Sequence, residues 1–396
     1  MSLPATLPGR GAVGDNPTAP TRDRGRSPRL KIALVCDWFL PRIGGIERHL
    51  AALAGRLAVA GHDVTVITPM QGAAADIAGV RIQSVPATLL PGAGLLWTPR
   101  SFRRLGQVVT GGNFDIVHAH ASIVSPAAFA ALYHAQRAGI PAIATMHSVI
   151  GGSRRIFRAL DRISHWSQWP VVLSGVGRRV AGELRALAPS RPVIVLPNAV
   201  DPADWRLALR RPSDVVAIAS VMRLVPRKRG SALLRALRYA SDRLPEGLKV
   251  RLEVAGDGPD RGRLAALASS LGLDVRFLGA CPPSAVRTLL AGSHFFVLPS
   301  RLEAFGIAAL EARAAGLPVV AMREGGVGEF IVDGRDGLLA DDDVQLANHL
   351  ARMCTDTAFR ERITRHNRET RVDCTWDRVL AQHLAVYARA RAEMRL

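Results

Sequence analysis

The sequence predicts an α/β fold of two doubly wound domains that face each other across a cleft. Short apolar runs, with the length of buried parallel strands, alternate with helical segments along most of the 396 residues. The alternation stops around residues 201–213, which are rich in Pro, Asp and Arg, and starts again at Val215. We therefore expect one parallel sheet covered by helices on each side of this linker.

The first domain, residues 31–205, opens with an apolar strand over residues 30–36. A loop with Gly44 and Gly45 follows, and the next helix stops at Gly61. One stripe of this helix is apolar, with Ile46, Leu50, Leu53 and Leu57. Further strands are predicted at residues 64–68, 80–85, 115–118, 142–146, 171–174 and 193–196.

The second domain, residues 212–372, repeats this organisation. Its strands are predicted at residues 215–222, 249–255, 274–278, 295–298 and 318–321. Residues 1–30, rich in Pro, Gly and Arg, predict a flexible basic arm. Residues 373–396 predict a closing amphipathic helix that packs back toward the first domain.

Charge and cysteine content narrow the possible surroundings of the protein. Its 52 Lys and Arg against 33 Asp and Glu give a net charge of +19, which favours phospholipid surfaces, phosphorylated metabolites or nucleic acid, although a GC-rich gene also raises the arginine content. The four cysteines have no paired spacing, which fits a reducing cytoplasm. No apolar run has the length of a spanning helix, and the first thirty residues lack the apolar centre of a signal peptide. We expect a cytoplasmic protein.

Ligands of parallel sheets bind at the carboxyl ends of the strands, so the residues that follow each strand are the candidate site. After the first strand, Gly44 and Gly45 let the backbone approach a ligand, and the helix that begins beside Glu47 presents N–H groups suited to an anion. A plain tight turn is the alternative. A metal site is not expected, because the neighbouring histidines have no carboxylate companions at ligand spacing.

Three histidines also follow strands of the first domain: His118, His120 and His147. A single histidine at such a place is commonly structural. Several that converge on one sheet edge favour a cleft in which imidazole donates to a sugar hydroxyl or a phosphate.

The second domain opens with a cationic cluster at the end of a strand and the start of a helix: Arg223, Arg227, Lys228 and Arg229. Cations at the positive end of a helix are unfavourable unless an anion binds there, so the cluster predicts a pyrophosphate site, with a solvated surface run as the alternative. The segment from Gly256 to Gly262 resembles a dinucleotide fingerprint, but Arg261 occupies the place of its third glycine. A nicotinamide cofactor is therefore disfavoured.

Glu303 and Glu311 are the most specific feature. On one helix they would lie about 12 Å apart and point in directions about 80° apart, so they cannot form a close catalytic pair. If Glu303 lies in the loop before the helix, the two carboxylates can contact opposite parts of an extended ligand, and Gly306 lets a phosphate approach between them. A nucleotide sugar suits this arrangement.

Together these motifs resemble the retaining glycosyltransferases of the GT-B fold, specifically family 4, from Lys31 to about Tyr387. The motifs are Gly44-Gly45-x-Glu47, Thr145-x-His147, Leu196-Pro-Asn-Ala-Val-Asp201, Arg223 with Lys228, Gly256-Asp-Gly-Pro259, Glu303 to Glu311, Gly325-Gly326 and Asp333-Gly-x-x-Gly337. The resemblance implies two Rossmann-like domains, the first on the acceptor side and the second binding the nucleotide sugar. One departure is Gly328, which stands before Glu329 where the family usually has Pro, so that loop is expected to be more mobile.

The resemblance also implies roles for residues at the matching positions. Catalytic roles fall to His147, Arg223, Lys228 and Glu303. Donor binding falls to Gly44, Gly45, Arg223, Lys228, Glu303, Phe305, Gly306, Ile307 and Glu311. The acceptor side is formed by Gly45, Glu47, His120 and His147. Neither a metal nor a cofactor is implied.

We therefore expect transfer of a hexosyl group from a UDP- or GDP-sugar to an acceptor hydroxyl on a lipid or a saccharide, with retention of configuration. The alternatives are a non-catalytic protein that binds nucleotide sugars or polyanions, and an NAD-dependent oxidoreductase; nucleic acid is not an expected partner. Residues 151–191 contain eight Arg among Phe157, Trp166 and Trp169, which predicts peripheral contact with an anionic membrane at its inner face. A solvated helix face is the alternative.

Overall fold

The computed structural model of the chain describes residues 28–42, 44–70, 76–90, 94–96, 98–209, 211 and 214–394. Most of the arm predicted for residues 1–30 lies outside these ranges. Leu30 is buried, and its N–H donates to His62 Nδ1 at 3.2 Å, so the ordered domain already includes this residue.

The strands, in chain order, are β1 (Lys31–Cys36), β2 (Asp63–Thr68), β3 (Val80–Ser84), β4 (Thr88–Leu90), β5 (Gly94–Leu96), β6 (Ile116–Ala121), β7 (Ala142–Met146), β8 (Val171–Gly175), β9 (Val193–Val195), β10 (Val216–Val221), β11 (Val250–Ala255), β12 (Val275–Gly279), β13 (Phe295–Leu298), β14 (Val319–Met322) and β15 (Gly337–Ala340). All twelve strands that the sequence predicts are present, with ends shifted by three residues or fewer.

The helices are α1 (Gly45–Val59), α2 (Pro99–Gly111), α3 (Pro126–Arg137), α4 (Arg154–Ser164), α5 (Arg178–Leu187), α6 (Gly230–Ser241), α7 (Arg261–Ser270), α8 (Pro283–Ala291), α9 (Ile307–Ala314), α10 (Asp343–Thr355), α11 (Thr357–Glu369) and α12 (Trp376–Glu393). In the part of the chain that the structure describes, none of them combines the length and the apolar character needed to cross a bilayer.

Two parallel sheets organise the chain, which confirms the predicted fold class. The first has the order β3-β2-β1-β6-β7-β8-β9, and the second has the order β12-β11-β10-β13-β14-β15. Every neighbouring pair in both sheets is parallel. The strand order reverses between β1 and β6 in the first sheet and between β10 and β13 in the second. Loops that leave the sheet at such reversals diverge and open a crevice.

The C-terminal helix α12 packs on the first sheet, although it follows the second domain in the chain. Its Val379, Val386 and Tyr387 are buried with Leu50 and Leu53 of α1. The helix also contacts β6, β7 and β8. This packing covers polar groups at the ends of those strands.

Three strands were not predicted from the sequence. Two of them form the antiparallel pair β4 and β5. The third is β15, whose four residues begin with a glycine and give little strand signal. A Cβ at Gly337 would lie 2.0 Å from the carbonyl oxygen of Val319, so this position must be glycine for β15 to pair with β14.

The prediction of a basic, aromatic surface over residues 151–191 is wrong in part. Phe157 and Trp166 are only 2% and 8% exposed and belong to the core. Five of the eight arginines contact other protein groups, namely Arg154, Arg178, Arg179, Arg185 and Arg191. The basic surface is therefore narrower than the sequence predicts.

Candidate functional site

The predicted site residues lie on the loops where the two sheets reverse their strand order. Arg223 and Lys228 follow β10, whereas Glu303 and Gly306 follow β13. Gly44 and Gly45 follow β1 of the other domain. The reversal points of both sheets therefore contribute to one interdomain crevice.

Two helix N-termini meet in this crevice. Helix α1 begins at Gly45 and α9 begins at Ile307, and a Cβ at Gly45 would lie 3.3 Å from Ile307 Cδ1. Gly306 caps α9 with a left-handed φ of 93°, which a residue with a side chain would adopt at a cost. The first N–H groups of each helix have no partner within the helix, and such groups favour an anion.

The cationic cluster is partly neutralised by the protein itself. Lys228 Nζ donates to Glu303 Oε2 at 2.5 Å, and both side chains are largely buried. Arg229 forms two hydrogen bonds to the Asp343 carboxylate, at 2.6 and 2.7 Å. The expectation that only a bound anion would compensate these cations is therefore wrong for two of the four.

Arg223 is exposed and lies close enough to α1 to act on its first turn. Burial raises the pKa of the Glu47 carboxyl, and the charges of Arg42 and Arg223 oppose this rise. Arg42 Nε lies 3.5 Å from Glu47 Oε1. A cation of the second domain thus faces the glycine loop of the first.

Glu311 lies on α9 and is buried. Its carboxylate pairs with Arg48 Nη2 of α1 at 3.1 Å, which joins the two domains. Burial raises the pKa of Glu311, and Arg48 opposes the rise. Sequence reasoning missed Arg48. The available signal was a cation one position after Glu47, in the turn that follows the paired glycines.

Phe305 contributes little side-chain surface to the crevice. Its ring is buried with its centroid 5.2 Å from that of Phe330. Its side chain packs into the core and so supports the loop before α9. Any ligand contact at this position would come from its main chain.

His147 and His120 belong to a separate, buried cluster at the carboxyl ends of β6 and β7. His120 Nδ1 lies 2.9 Å from His147 Nε2. His118 hydrogen-bonds through Nδ1 to Tyr387 Oη at 2.9 Å and through Nε2 to Thr145 Oγ1 at 2.7 Å. The histidines that the sequence placed at one sheet edge do meet there.

Helix α1 and helix α12 complete this histidine cluster with residues that the sequence analysis missed. His49 stacks on Trp376 with 5.0 Å between ring centroids and lies 5.8 Å from His147. His383 lies 5.7 Å from His118. Only the return of α12 across the sheet brings its side chains here, and no local pattern indicates that return.

Burial in this cluster disfavours the charged form of every imidazole. It lowers the pKa of His147 to about 3 and that of His383 to about 4. The pKa values of His49, His118 and His120 are lowered in the same way. These side chains act as neutral hydrogen-bonding groups at physiological pH. Over the residues that the structure covers, no three His, Cys, Asp or Glu side chains are grouped as metal ligands would be.

Further ion pairs join the domains beside the crevice. The Glu329 carboxylate accepts from the Arg178 N–H at 2.6 Å and pairs with Arg178 Nε at 3.1 Å. Arg179 donates to the main-chain oxygens of Arg301 and Glu324. These contacts hold the Glu329 side chain against the first domain, and the higher mobility expected from Gly328 stays a prediction.

The structure therefore brings Arg223, Lys228, Glu303 and Glu311 to one crevice, together with the glycine loop and Glu47. The contacts that place them are the Lys228–Glu303 pair, the Arg48–Glu311 pair and the approach of Gly45 to Ile307. His120 and His147 connect to this crevice through His49, which lies on the same helix as Glu47.

Comparisons with known proteins agree with this geometry. The family model for glycosyl transferases group 1 matches residues 203–370, and the model for glycosyltransferase family 4 matches residues 43–204. Among curated relatives, a phosphatidylinositol N-acetylglucosaminyltransferase component of Arabidopsis thaliana is 30% identical over 92% of this chain and 83% of its own length. The GDP-mannose-dependent alpha-(1-6)-phosphatidylinositol monomannoside mannosyltransferase of Mycolicibacterium smegmatis is 31% identical over 78% of this chain and 84% of its own.

Solved structures share the fold. HepE of Anabaena, crystallised with UDP and glucose, superposes with a TM-score of 0.72 at 18% identity and covers 91% of this chain and 100% of its own. WaaG, a glycosyltransferase involved in lipopolysaccharide biosynthesis, superposes with a TM-score of 0.71 at 19% identity and covers 90% of this chain and 99% of its own.

Proposed function

Since this chain belongs to the group 1 glycosyltransferases of family 4, we propose that it transfers a hexosyl group from a nucleoside diphosphate sugar to an acceptor hydroxyl, with retention of configuration. The observation that carries the donor proposal is the meeting of α1 and α9 at their N-termini, flanked by Arg223 and Lys228. The two helix N-termini and exposed Arg223 supply positive potential there, which suits a diphosphate. The UDP and glucose in the crystal of HepE support the same class of donor.

In this proposal the diphosphate lies between the two helix N-termini and the sugar rings lie beyond either end. Breaking the glycosidic bond places negative charge on the departing diphosphate. Arg223, Lys228 and the N–H groups of α9 stabilise that charge more in the transition state than in the ground state, which is the condition for catalysis. They fill the role that a divalent cation has in other transferases, and we propose that the reaction needs no metal.

The two glutamates would hold the two sugar rings. Glu311, four residues beyond Ile307 on α9, would accept hydrogen bonds from ribose hydroxyls, in competition with Arg48. Glu303, held by Lys228, would accept from hydroxyls of the transferred hexose. His147 would contribute a neutral imidazole on the acceptor side, because its pKa of about 3 excludes a charged one.

We propose a lipid-linked acceptor in preference to a free saccharide. Two relatives carry phosphatidylinositol in their names, which supports a lipid acceptor for this chain as well. All four cysteines are unpaired, which suits a reducing compartment. We therefore propose that the reaction takes place at the cytoplasmic face of a membrane, with peripheral contact.

Donor binding is tested by thermal unfolding in the presence of UDP-, GDP- and ADP-sugars, with the matching free nucleosides as controls. A ligand at a hundred times its dissociation constant stabilises a protein by about 2.7 kcal/mol, so one nucleotide series should raise the Tm by several degrees. The nucleosides lack the diphosphate and should have little effect. Equal shifts with nucleosides and nucleotide sugars would refute the diphosphate site, and addition of EDTA should leave the shift unchanged.

A further inference from the structure

Helix α4 has an apolar stripe on its solvent face. Ile156, Leu160 and Ile163 are 59%, 50% and 83% exposed. Their spacing of four and three residues places them on one side of the helix. Of the ten large hydrophobic side chains exposed in the described part of the chain, these three lie on a single eleven-residue helix. Such a patch is typical of a contact surface.

Arginines occupy another exposed side of this helix, and the one acidic residue of the helix contacts the turn that follows it. Arg155, Arg158 and Arg162 are exposed, and no acidic side chain among the residues with described placement pairs with them. At 100° per residue their mean direction lies about 130° from that of the stripe. The Asp161 carboxylate accepts from the Ser167 N–H and Oγ, both at 2.8 Å, and so holds the turn after the helix.

The side of α4 that carries Phe157 packs on the first domain. The Phe157 ring packs against Phe129 of α3 and against Trp166, with 6.1 Å between centroids in each case. The apolar cavity beneath the helix measures only about 30 Å³. An acyl chain cannot enter it, so a lipid can contact only the outer stripe.

The location of α4 in the fold connects this helix to the crevice. The chain passes from His147 to Arg154 through a short loop, and the Glu183 carboxylate accepts from the Ile150 N–H of that loop at 2.6 Å. Exposed Val124 follows β6, the neighbour of β7, at the same edge of the sheet. A surface that receives α4 would therefore lie beside the acceptor side of the crevice.

We propose that α4 docks the first domain on an anionic lipid bilayer, with Ile156, Leu160 and Ile163 in the headgroup boundary and Arg155, Arg158 and Arg162 on acidic headgroups. The positive charge of these three arginines favours an anionic lipid surface over an apolar protein partner. Each arginine near such a surface gives about a fivefold gain in partitioning. The link from docking to a lipid-linked acceptor rests on the proposed function, but docking itself does not.

The test is sedimentation of the full chain with vesicles of phosphatidylcholine alone and of phosphatidylcholine with phosphatidylglycerol, at two salt concentrations. We expect binding to the anionic vesicles that weakens with salt. The triple variant Arg155→Gln, Arg158→Gln, Arg162→Gln should lower the partition coefficient by tenfold or more, at roughly fivefold per lost cation. The triple variant Ile156→Ser, Leu160→Ser, Ile163→Ser should lower it as well, although its charge is unchanged.

A matched control separates the helix from net charge. Arg235→Gln, Arg365→Gln and Arg371→Gln remove three exposed arginines of the second domain and should leave vesicle binding within about twofold of the parent. Equal losses in the two arginine triples, or equal recovery with neutral and anionic vesicles, would overturn the proposal. The donor-induced Tm shift is measured on every variant. A retained shift without vesicle binding refutes docking and the proposed peripheral membrane contact but leaves the proposed donor binding intact, whereas vesicle binding without any nucleotide-sugar shift refutes the proposed donor binding alone.

Discussion

The two sheets share a strand order but carry opposite chemistry at the ends of their central strands. In the first domain, β6 and β7 deliver neutral imidazoles that α12 covers with Trp376, His383 and Tyr387. In the second domain, the loops after β10 and β13 deliver cations and carboxylates to an open crevice. The same topology thus supports a buried hydrogen-bonded cluster in one half and a charged surface in the other.

This difference teaches that a polar residue at a strand end is not by itself a ligand contact. What decides is whether another element covers that end. The histidine cluster is closed from above by α12, so most of its members hold neighbouring groups in place. The charged loops of the second domain face α1, and Gly45 lets the N-terminus of that helix approach Ile307. Substitutions should therefore affect catalysis in one half and pH-dependent stability in the other.

The largest effect should come from Lys228→Ala. Loss of a preorganised cation at the departing diphosphate should lower kcat/KM by about 10²- to 10³-fold, the usual result of removing one such donor. The Tm should fall as well, because removal of Lys228 leaves the largely buried Glu303 carboxylate without its partner, but the variant should remain folded. Steady-state kinetics and thermal unfolding measure the two quantities.

The neighbouring cation Arg227 provides the control for this variant. It is exposed in the same turn. Arg227→Ala should keep kcat/KM within about twofold of the parent, since solvent screens the exposed charge of Arg227 from the proposed diphosphate site. Wild-type turnover of Lys228→Ala, or equal losses in both variants, would contradict the assignment of the crevice.

The sequence was sufficient to predict this crevice but not the contacts that hold it. Parallel strands end at one edge, so Lys228 and Glu303 could be placed together from strand positions alone. The pairing of Arg48 with Glu311 and of Arg229 with Asp343 joins residues far apart in the chain, and depends on how the domains and helices pack. The local pattern of hydrophobic residues does not predict how the domains and helices pack.

The same limit explains the missed half of the histidine cluster. The sequence placed His118, His120 and His147 at the ends of strands, so their meeting could be predicted, although His118 and His120 lie within β6. His383 lies on a helix that follows the second domain and returns to the first. A hydrophobic stripe predicts that such a helix packs somewhere, but it does not specify the sheet edge that receives it.

The second prediction concerns acid stability of the first domain. In the unfolded chain these histidines titrate near pH 6.5, whereas burial lowers their folded pKa values, to about 3 for His147 and about 4 for His383. Between these values the unfolded chain binds more protons, so the free energy of unfolding falls as the pH falls below 6.5, by about 1.4 kcal/mol per pH unit for each histidine. Asp37 offsets the effect of one of these histidines. Burial raises the pKa of its carboxyl to about 6, so below that pH the folded chain binds a proton that the unfolded chain does not yet bind. Denaturant unfolding between pH 7.5 and 5 measures the slope.

Replacing one member tests the origin of this slope. His383→Leu removes one protonation site while the Val379 carbonyl keeps its helical partner. The slope should become shallower by about one proton, which is about 1.4 kcal/mol per pH unit. An unchanged slope would mean that the acid sensitivity arises outside the histidine cluster.

The smallest expected effect concerns the ion pair that links the two halves. Arg48→Gln removes the cation that opposes the raised pKa of Glu311, so this pKa should rise further. If ionised Glu311 holds the ribose, the KM for the donor should increase more at acidic than at alkaline pH, with kcat little changed at either pH. Arg56→Gln, on the same helix but paired with Asp201 at 3.2 Å, should leave this pH dependence unaltered. A pH-independent change in KM would show that Arg48 acts by holding the domains together and not through the ionisation of Glu311.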